Sequence, residues 1–542
     1  MSLFLGLDLS TQQLKAVVTS DKGSVVHECA VNFDRDLSKY GTQNGAIHGA
    51  GVGEITSPVA MWVDAFDLLL ERMKGEGVDF SRIAGVSGSG QQHGSVYWSH
   101  EASTLLSSLD AEKTLVELLV PNAFSIEQSP IWQDSSTTKE CQELNEIAGG
   151  EQALADLTGS RAYERFTGPQ IAKIRKTNPK GYEKTAYISL VSSFMPSLFL
   201  GRIAPIEVSD ASGMNLMNVL THKWDDSLVE ACGGPELREK LFSEPAHGGK
   251  FLGKVCDWWV KKWGFSPDCS VAPFTGDNPA TMVSLSTTGD IIVSLGTSTT
   301  LLLDIPHSDS PPRRFTTSHL LAHPANDTSA IAMLCYKNGA LAREQVRNQF
   351  AEGHWHIFNE RVEASPPGNN GYSGLYFPLL EIIPSNVQGT FLFKDSQPVE
   401  SIPENAHPRA ILESQFLSMK SRIAAILPED ARPLHRLILT GGSSQNQTIR
   451  QLAADLFGLP TYVAETKEAA GLGGALLALF AWWREQNGGK GTFDEMKATH
   501  PEQMKLVAEP RGEVTKVYDG LVDAYRSWED LVVKLCAERQ TL

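Results

Sequence analysis

The seven cysteines, at positions 29, 141, 232, 256, 269, 335 and 536, are scattered and form no Cys-x-x-Cys pair. That spacing excludes a zinc ribbon or a thioredoxin-like centre, and the odd count argues against a disulfide framework. Reduced thiols in the cytosol are the expectation. No basic block is present either. Lys and Arg are dispersed in a chain of net charge −17, which excludes duplex nucleic acid and anionic membrane as expected partners. The longest apolar stretch, 469–483, holds three glycines and falls short of the ~20 residues a membrane span requires. A buried helix is expected there. The start of the chain carries no charged leader, and Asp8 interrupts its short apolar run, so it is not read as a signal peptide. A Walker-type lysine loop and the paired Asp motifs of protein kinases are missing. His354-Trp-His356 has metal-like spacing without a third ligand set nearby, so zinc is not expected.

What is present is a pair of similar turns far apart in the chain. Segment 3–18, LFLGLDLSTQQLKAVV, and segment 290–303, DIIVSLGTSTTLLL, each run apolar into a tight Gly/Ser/Thr turn and out into a second apolar run. Gly6, Ser10 and Thr11 are echoed by Gly296, Thr297, Ser298 and Thr299. Glycine lets backbone N–H groups approach an anion, and small hydroxyls add donors. Two such hairpins suggest two similar halves acting on one polyphosphate. A chain of 542 residues is too long for one core and is expected to form two lobes.

Strand-like runs occupy 3–9, 14–20, 24–33 and 82–87, with an amphipathic helix over 58–73. Later the pattern alternates: strand 434–439, turn 440–444, helix 445–457, strand 461–464, helix 469–480. Strands followed by glycine turns and helices imply an α/β fold with ligands at the strand ends. The glycines of 470–474 read as helix packing, and Trp258, Trp259 and Trp263 as core. Segments 307–314, 366–374 and 403–408 read as surface loops, and 487–491 sets off a polar helical tail.

Four turns hold candidate chemistry. Asp8, at the end of the first strand, either holds Mg²⁺ through waters or caps its own turn. Asp277 and Asn278, in Phe274-Thr-Gly-Asp-Asn-Pro279, either accept a hydroxyl proton and fix a sugar oxygen, or cap the helix that follows. Gly88-Ser-Gly-Gln-Gln-His-Gly94 offers polyol contacts through glutamine and histidine, or is structural. Thr440-Gly-Gly-Ser-Ser-Gln-Asn446 offers a glycine pair for a flat base or ribose, or is an ordinary strand–helix turn.

With GLDLSTQQLKAV, SGSGQQHG, IWQDSST, SRAYERFTG, SDASGMNLMNV, FTGDNPA, SLGTS and TGGSSQN in one order, the chain resembles the FGGY carbohydrate kinases. Within them it is similar to the longer, eukaryotic xylulokinase branch. The resemblance implies two actin-like ATPase (ribonuclease H-like) lobes with a central interdomain cleft. The N-terminal lobe, 1–280, would carry the sugar site and first phosphate hairpin. The C-terminal lobe, 281–542, would carry the second hairpin, the adenosine site and the polar tail. It implies ATP- and Mg²⁺-dependent phosphorylation of D-xylulose by a cytoplasmic monomer or homodimer. The alternatives are another ketose or polyol such as ribulose, or a catalytically silent sugar- and nucleotide-binding protein. Asp277 would be the general base; His93, Arg165, Asp277 and Asn278 would hold the sugar. Thr11, Gly296, Thr297, Trp355, Gly441, Gly442, Ser443 and Asn446 would bind ATP, with Asp8 near Mg²⁺. Departures from the family pattern are Gln92 where bacterial members usually carry Met, Glu413-Ser414 where Glu-Gly is common, and no Gly-Glu-Arg-Thr-Pro run after 374–378. Extra loop sequence at 31–57 and 98–130 also points to the eukaryotic branch. His93 stands where glycerol kinases carry a different run, which disfavours glycerol.

Overall fold

The computed structural model describes residues 2–500 and 504–540. Strand β1 (Leu3–Leu9) is buried along its whole length and lies inside a mixed sheet. It pairs antiparallel with β2 (Gln13–Ser20), in continuous register from Leu3–Ser20 to Leu9–Leu14, and β2 pairs antiparallel with β3 (Val25–Asn32). On its other edge β1 runs parallel to β4 (Ile83–Gly90). Short strands complete this side: β5 (Gly253–Lys254), β6 (Ser270–Val271) and β7 (Thr275–Gly276), the last two parallel to β4. A strand covered on both faces is apolar throughout, which is why β1 lacks alternation. The helix Val59–Gly75 turns Trp62, Phe66, Leu69, Leu70 and Met73 inward beside β2 and β3.

The helix Ala469–Gln486 packs on β1, on β4 and on the helix Asp277–Leu285. Glycines on both sides make this approach possible. A Cβ on Gly6 would lie 2.0 Å from the Gly471 carbonyl oxygen, and one on Gly474 would lie 2.5 Å from Gly88 Cα. The chain therefore divides differently from the contiguous split at 280/281. One compact unit comprises residues 2–285, 320–330 and 468–500; the other comprises 286–319, 331–467 and 504–540. The correction has a simple cause: the 469–486 helix is apolar and glycine-lined, and the surface that fits it is the first sheet.

The second unit is built on another mixed sheet, with strands β8 (Asp290–Leu295), β9 (Thr299–Asp304), β10 (Ala330–Tyr336), β11 (Arg436–Thr440), β12 (Thr461–Ala464) and β13 (Met504–Ala508). Within it these run in the order β10, β9, β8, β11, β12, β13. The β8–β9 hairpin closes at the Leu295–Thr299 pair, and β8 runs parallel to β11. The long helix His407–Ile426 starts inside the segment expected to be a surface loop, and both His407 and Pro408 are buried. Glu413, one of the family departures, is buried in an ion pair with Arg409 at 2.7 Å and also accepts from Tyr518 at 2.9 Å. The segment read as a polar helical tail includes β13, which pairs antiparallel with β12, before the helix Val522–Gln540. Among the described residues no helix is long and apolar enough to cross a membrane.

Candidate active site

In the first unit the C-terminal ends of the parallel strands β1, β4 and β7 lie side by side, since Asp8 pairs with Ser89 and Gly276 with Gly90. Ligands in open α/β sheets collect at such ends. Asp8 is buried, and its Oδ1 accepts from Ser89 Oγ at 2.9 Å. Burial, followed by the charge of Asp277, pushes its carboxyl up to about 7, against the opposing pull of Lys15. Lys15 is itself paired with Glu468 at 2.6 Å. Thr11 Oγ1 accepts from Trp132 Nε1 at 2.8 Å, which pins the half-exposed indole beside the first turn.

Asp277 is the first residue of its helix, immediately after β7. A capping Asp would reach an amide two or three residues on. Here the second residue on is Pro279, which has no N–H, and Asp277 Oδ1 instead accepts from its neighbour's backbone, Asn278 N, at 2.8 Å. Burial, then the charge of Asp210, raises Asp277 to about 6. It is thus a carboxylate at neutral pH with a proton affinity well above that of an exposed Asp, the property a general base needs.

His93 sits in the left-handed region at φ 72° and is buried. Its ring stacks on Phe166 at 4.5 Å, and Nδ1 lies 2.9 Å from the Gly213 carbonyl oxygen. Burial, then Arg165, pulls its pKa down to about 3, so the imidazole is neutral. A carbonyl can only accept, so the proton is on Nδ1, and Nε2 is left as an acceptor for a ligand hydroxyl. Arg165 lies over Tyr163 at 4.8 Å and over Phe166 at 5.5 Å. Asn278 Nδ2 donates to Gln92 Oε1 at 2.9 Å. The structure therefore gathers Asp8, Thr11, His93, Arg165, Asp277 and Asn278 in one unit. Gln92, from the glutamine–histidine turn that offers polyol contacts, joins them. Asp210 and Trp132 join them too, and their segments, SDASG and IWQD, carry no signal in the sequence beyond the family resemblance.

The second unit gathers the remaining candidates. Gly441, at φ 80°, packs so closely that a Cβ would lie 2.9 Å from the Leu295 carbonyl carbon at the base of the Gly296–Ser298 turn. Ala340 N donates to the Gly296 carbonyl at 3.0 Å, docking the helix Ala340–Phe350 on the same turn. Thr297 is exposed at the tip. Asn446 caps the helix Gln447–Phe457 through Ile449 N at 3.2 Å and also donates to Asn359 at 2.8 Å. Asn359 is one turn along from Trp355, whose ring carries the Arg347 guanidinium at 4.7 Å. Gly441, Gly442, Ser443, Asn446 and Trp355 thus belong to one neighbourhood.

Arg343 went unnoticed in the sequence, where a charged residue in a helix reads as a solvated face. It is fully buried, and its hydrogen bonds go to the neutral atoms Gln415 Oε1 at 2.8 Å and Ser443 Oγ at 3.3 Å. Nε has no partner, and burial draws the guanidinium down to about 10. A buried cation against neutral partners, beside two glycine turns, suits an anionic ligand.

Residues 122–284 match the N-terminal domain, and residues 291–482 the C-terminal domain, of the FGGY family of carbohydrate kinases. The chain is 42% identical to the xylulose kinase of Rattus norvegicus over 531 residues, covering 98% of this chain and 97% of that one. It is 40% identical to the xylulose kinase of Schizosaccharomyces pombe, covering 98% and 99%. Its fold is similar to the crystal structure of a xyloylose kinase from Brucella ovis, with a TM-score of 0.76 at 19% identity over 99% of each chain. Both family domains in order, with relatives matched over nearly their whole length, mean that this chain belongs to the FGGY family of carbohydrate kinases.

Proposed function

We propose that the chain transfers the γ-phosphoryl group of ATP to the terminal hydroxyl of D-xylulose, giving D-xylulose 5-phosphate and ADP. The observation that carries this reading is the polarity of the first unit's site. His93 Nε2 and the Asp277 and Asn278 side-chain oxygens are acceptors, and Arg165 is a fixed donor, a set that suits a ligand rich in hydroxyls. The named acceptor follows from the relatives, which are xylulose kinases.

In this reading Asp277 orients the attacking hydroxyl. As the oxygen bonds to the γ-phosphorus and the bond to the β–γ bridging oxygen breaks, Asp277 takes the hydroxyl proton, which passes to solvent after ADP leaves. The Gly296–Ser298 and Gly441–Ser443 turns, with Arg343, hold the nucleotide, and Trp355 lies beside the base. A divalent cation such as Mg²⁺ fits Asp8, because two mutually repelling carboxylates, the buried Asp8 and the half-buried Asp277, are relieved by positive charge. When bound it would neutralise charge on the phosphates. The seven free thiols suit a cytosolic enzyme.

The test is ADP release by the purified protein with Mg²⁺ and ATP over D-xylulose, D-ribulose, glycerol and a set of aldoses. D-Xylulose should give the highest kcat/KM. A higher value for ribulose or glycerol would overturn the substrate assignment, and no turnover with any acceptor would mean a silent binding protein.

A further inference from the structure

The turn that carries Asp277 rests on a buried acidic segment that the phosphoryl transfer does not use. Glu207 accepts from Thr275 Oγ1 at 2.6 Å and from the amides of Ser209 and Asp210 at 2.9 and 3.1 Å, tying the segment to β7. Asp210 is 1% exposed, and its Oδ2 accepts from Ser192 Oγ at 2.5 Å. Its other oxygen, Oδ1, has no hydrogen-bond partner, and neither does Gln92 Nε2, which is also buried. The two groups flank the same glycine. A Cβ on Gly276 would meet Gln92 Cγ at 2.5 Å, Asp210 Oδ1 at 2.7 Å and Gln92 Cδ at 2.9 Å. The amide and the carboxyl are not closed into a hydrogen bond, yet they are near enough for Gln92 to stabilise the charged form of Asp210. A buried donor and a buried acceptor, each lacking any other partner, are a pair poised to close.

The chemistry of the pair fixes the orientation of everything beyond it. A carboxylate only accepts, so it draws the NH₂ of Gln92 toward itself and turns Gln92 Oε1 the other way. Gln92 Oε1 takes one hydrogen of Asn278 Nδ2, at 2.9 Å, and Asp277 Oδ1 takes the other, at 3.2 Å. Asn278 then has no donor left, and its Oδ1 is the atom offered to a ligand. We propose that Asp210 is a positioning residue for the acceptor sugar: acting through the Gln92 amide, it holds Asn278 with Oδ1 toward the sugar, so that the site takes a hydroxyl at that point and refuses a bare acceptor. The inference rests on the sugar site proposed above. It also explains Gly276, since any side chain there would wedge the pair apart.

A double-mutant cycle tests it. Asp210→Ala and Asn278→Ala are made singly and together, and assayed at pH 8, where Asp210, pushed up to about 7 by burial, is ionised. The acceptor used is whichever carbohydrate the wild-type protein turns over fastest; activity on one other than D-xylulose would overturn the substrate assignment and leave the cycle intact. Asp210→Ala should raise the acceptor KM on the order of tenfold, the effect of one unmade buried hydrogen bond, with the ATP KM unmoved. In the Asn278→Ala background the same change should add less than about twofold, because residues of one network are not additive. Should Asp210→Ala fail to fold, Gln92→Met breaks the same link from its other end and takes its place in the cycle. Additive effects, an equal rise in the ATP KM, or an unchanged acceptor KM would each overturn the proposal.

Discussion

Replacing Gly473 with alanine strikes the packing that places the proposed base. The added Cβ would lie 1.9 Å from the Ala280 carbonyl oxygen and 2.6 Å from its carbon, both backbone atoms of the helix that begins at Asp277. No rotamer change relieves a backbone contact, so the two helices must separate by roughly 1 Å, the kind of overpacking that costs about 1–3 kcal/mol. Asp277 and Asn278 move with their helix. A misplacement of about 1 Å at the reacting groups can cost on the order of 100-fold in kcat. The expected result is a destabilised but folded enzyme with kcat down about two orders of magnitude, read by steady-state kinetics beside thermal melting. Gly75→Ala is the control, since nothing lies within 4 Å of a Cβ there, and it should be neutral or slightly stabilising. Wild-type kcat and melting temperature in Gly473→Ala would refute the claim that this helix contact holds the site.

His93→Ala should weaken sugar binding by about 1–3 kcal/mol, measured by calorimetry, and leave ATP affinity without sugar unchanged; equal losses would make His93 structural. Arg343→Met, which keeps the bulk and removes the buried charge, should raise the ATP KM on the order of tenfold or more with the sugar KM unmoved; an unchanged ATP KM would make Arg343 a packing residue. At saturating Mg²⁺, kcat/KM should fall tenfold per pH unit as pH drops through the Asp277 pKa, about 6 without metal and lower beside the cation, because protonated Asp cannot accept the hydroxyl proton. A profile with no acid limb down to pH 4 would remove Asp277 from the rate equation.

Much of the frame was legible in the sequence because the residues that build it are local. β1 shows as an apolar run broken by one acid at its end, and the 59–75 helix shows in its apolar spacing. Asp8 stands at the end of a buried strand, and His93 and Asp277 just past one, where the turn itself marks them. Asp210 does not: its partners Ser192, Gln92 and Gly276 are distant in the chain, and an acid in a short polar helix carries no local signal of its neighbours. The 469–486 helix was recognisable as buried, but nothing in its own residues says which sheet receives it. Strand β13 was missed because Met504–Ala508 is half-exposed at a sheet edge, where the apolar pattern is weakest. The cap reading of Asp277 was open on sequence grounds. Only the backbone geometry shows its carboxylate on the next residue's amide, and Pro279 with no N–H to offer.

Kinetics of Asp277→Asn beside ligand calorimetry tests the central claim most directly. Asparagine keeps the size and the contact to Asn278 N but cannot take the proton. The account predicts a folded protein that binds D-xylulose and ATP within a few-fold of wild type and loses on the order of 10²–10⁴ in kcat with KM little moved. A variant keeping more than about a tenth of wild-type kcat, a loss under ~1.4 kcal/mol, would contradict it and place the base elsewhere.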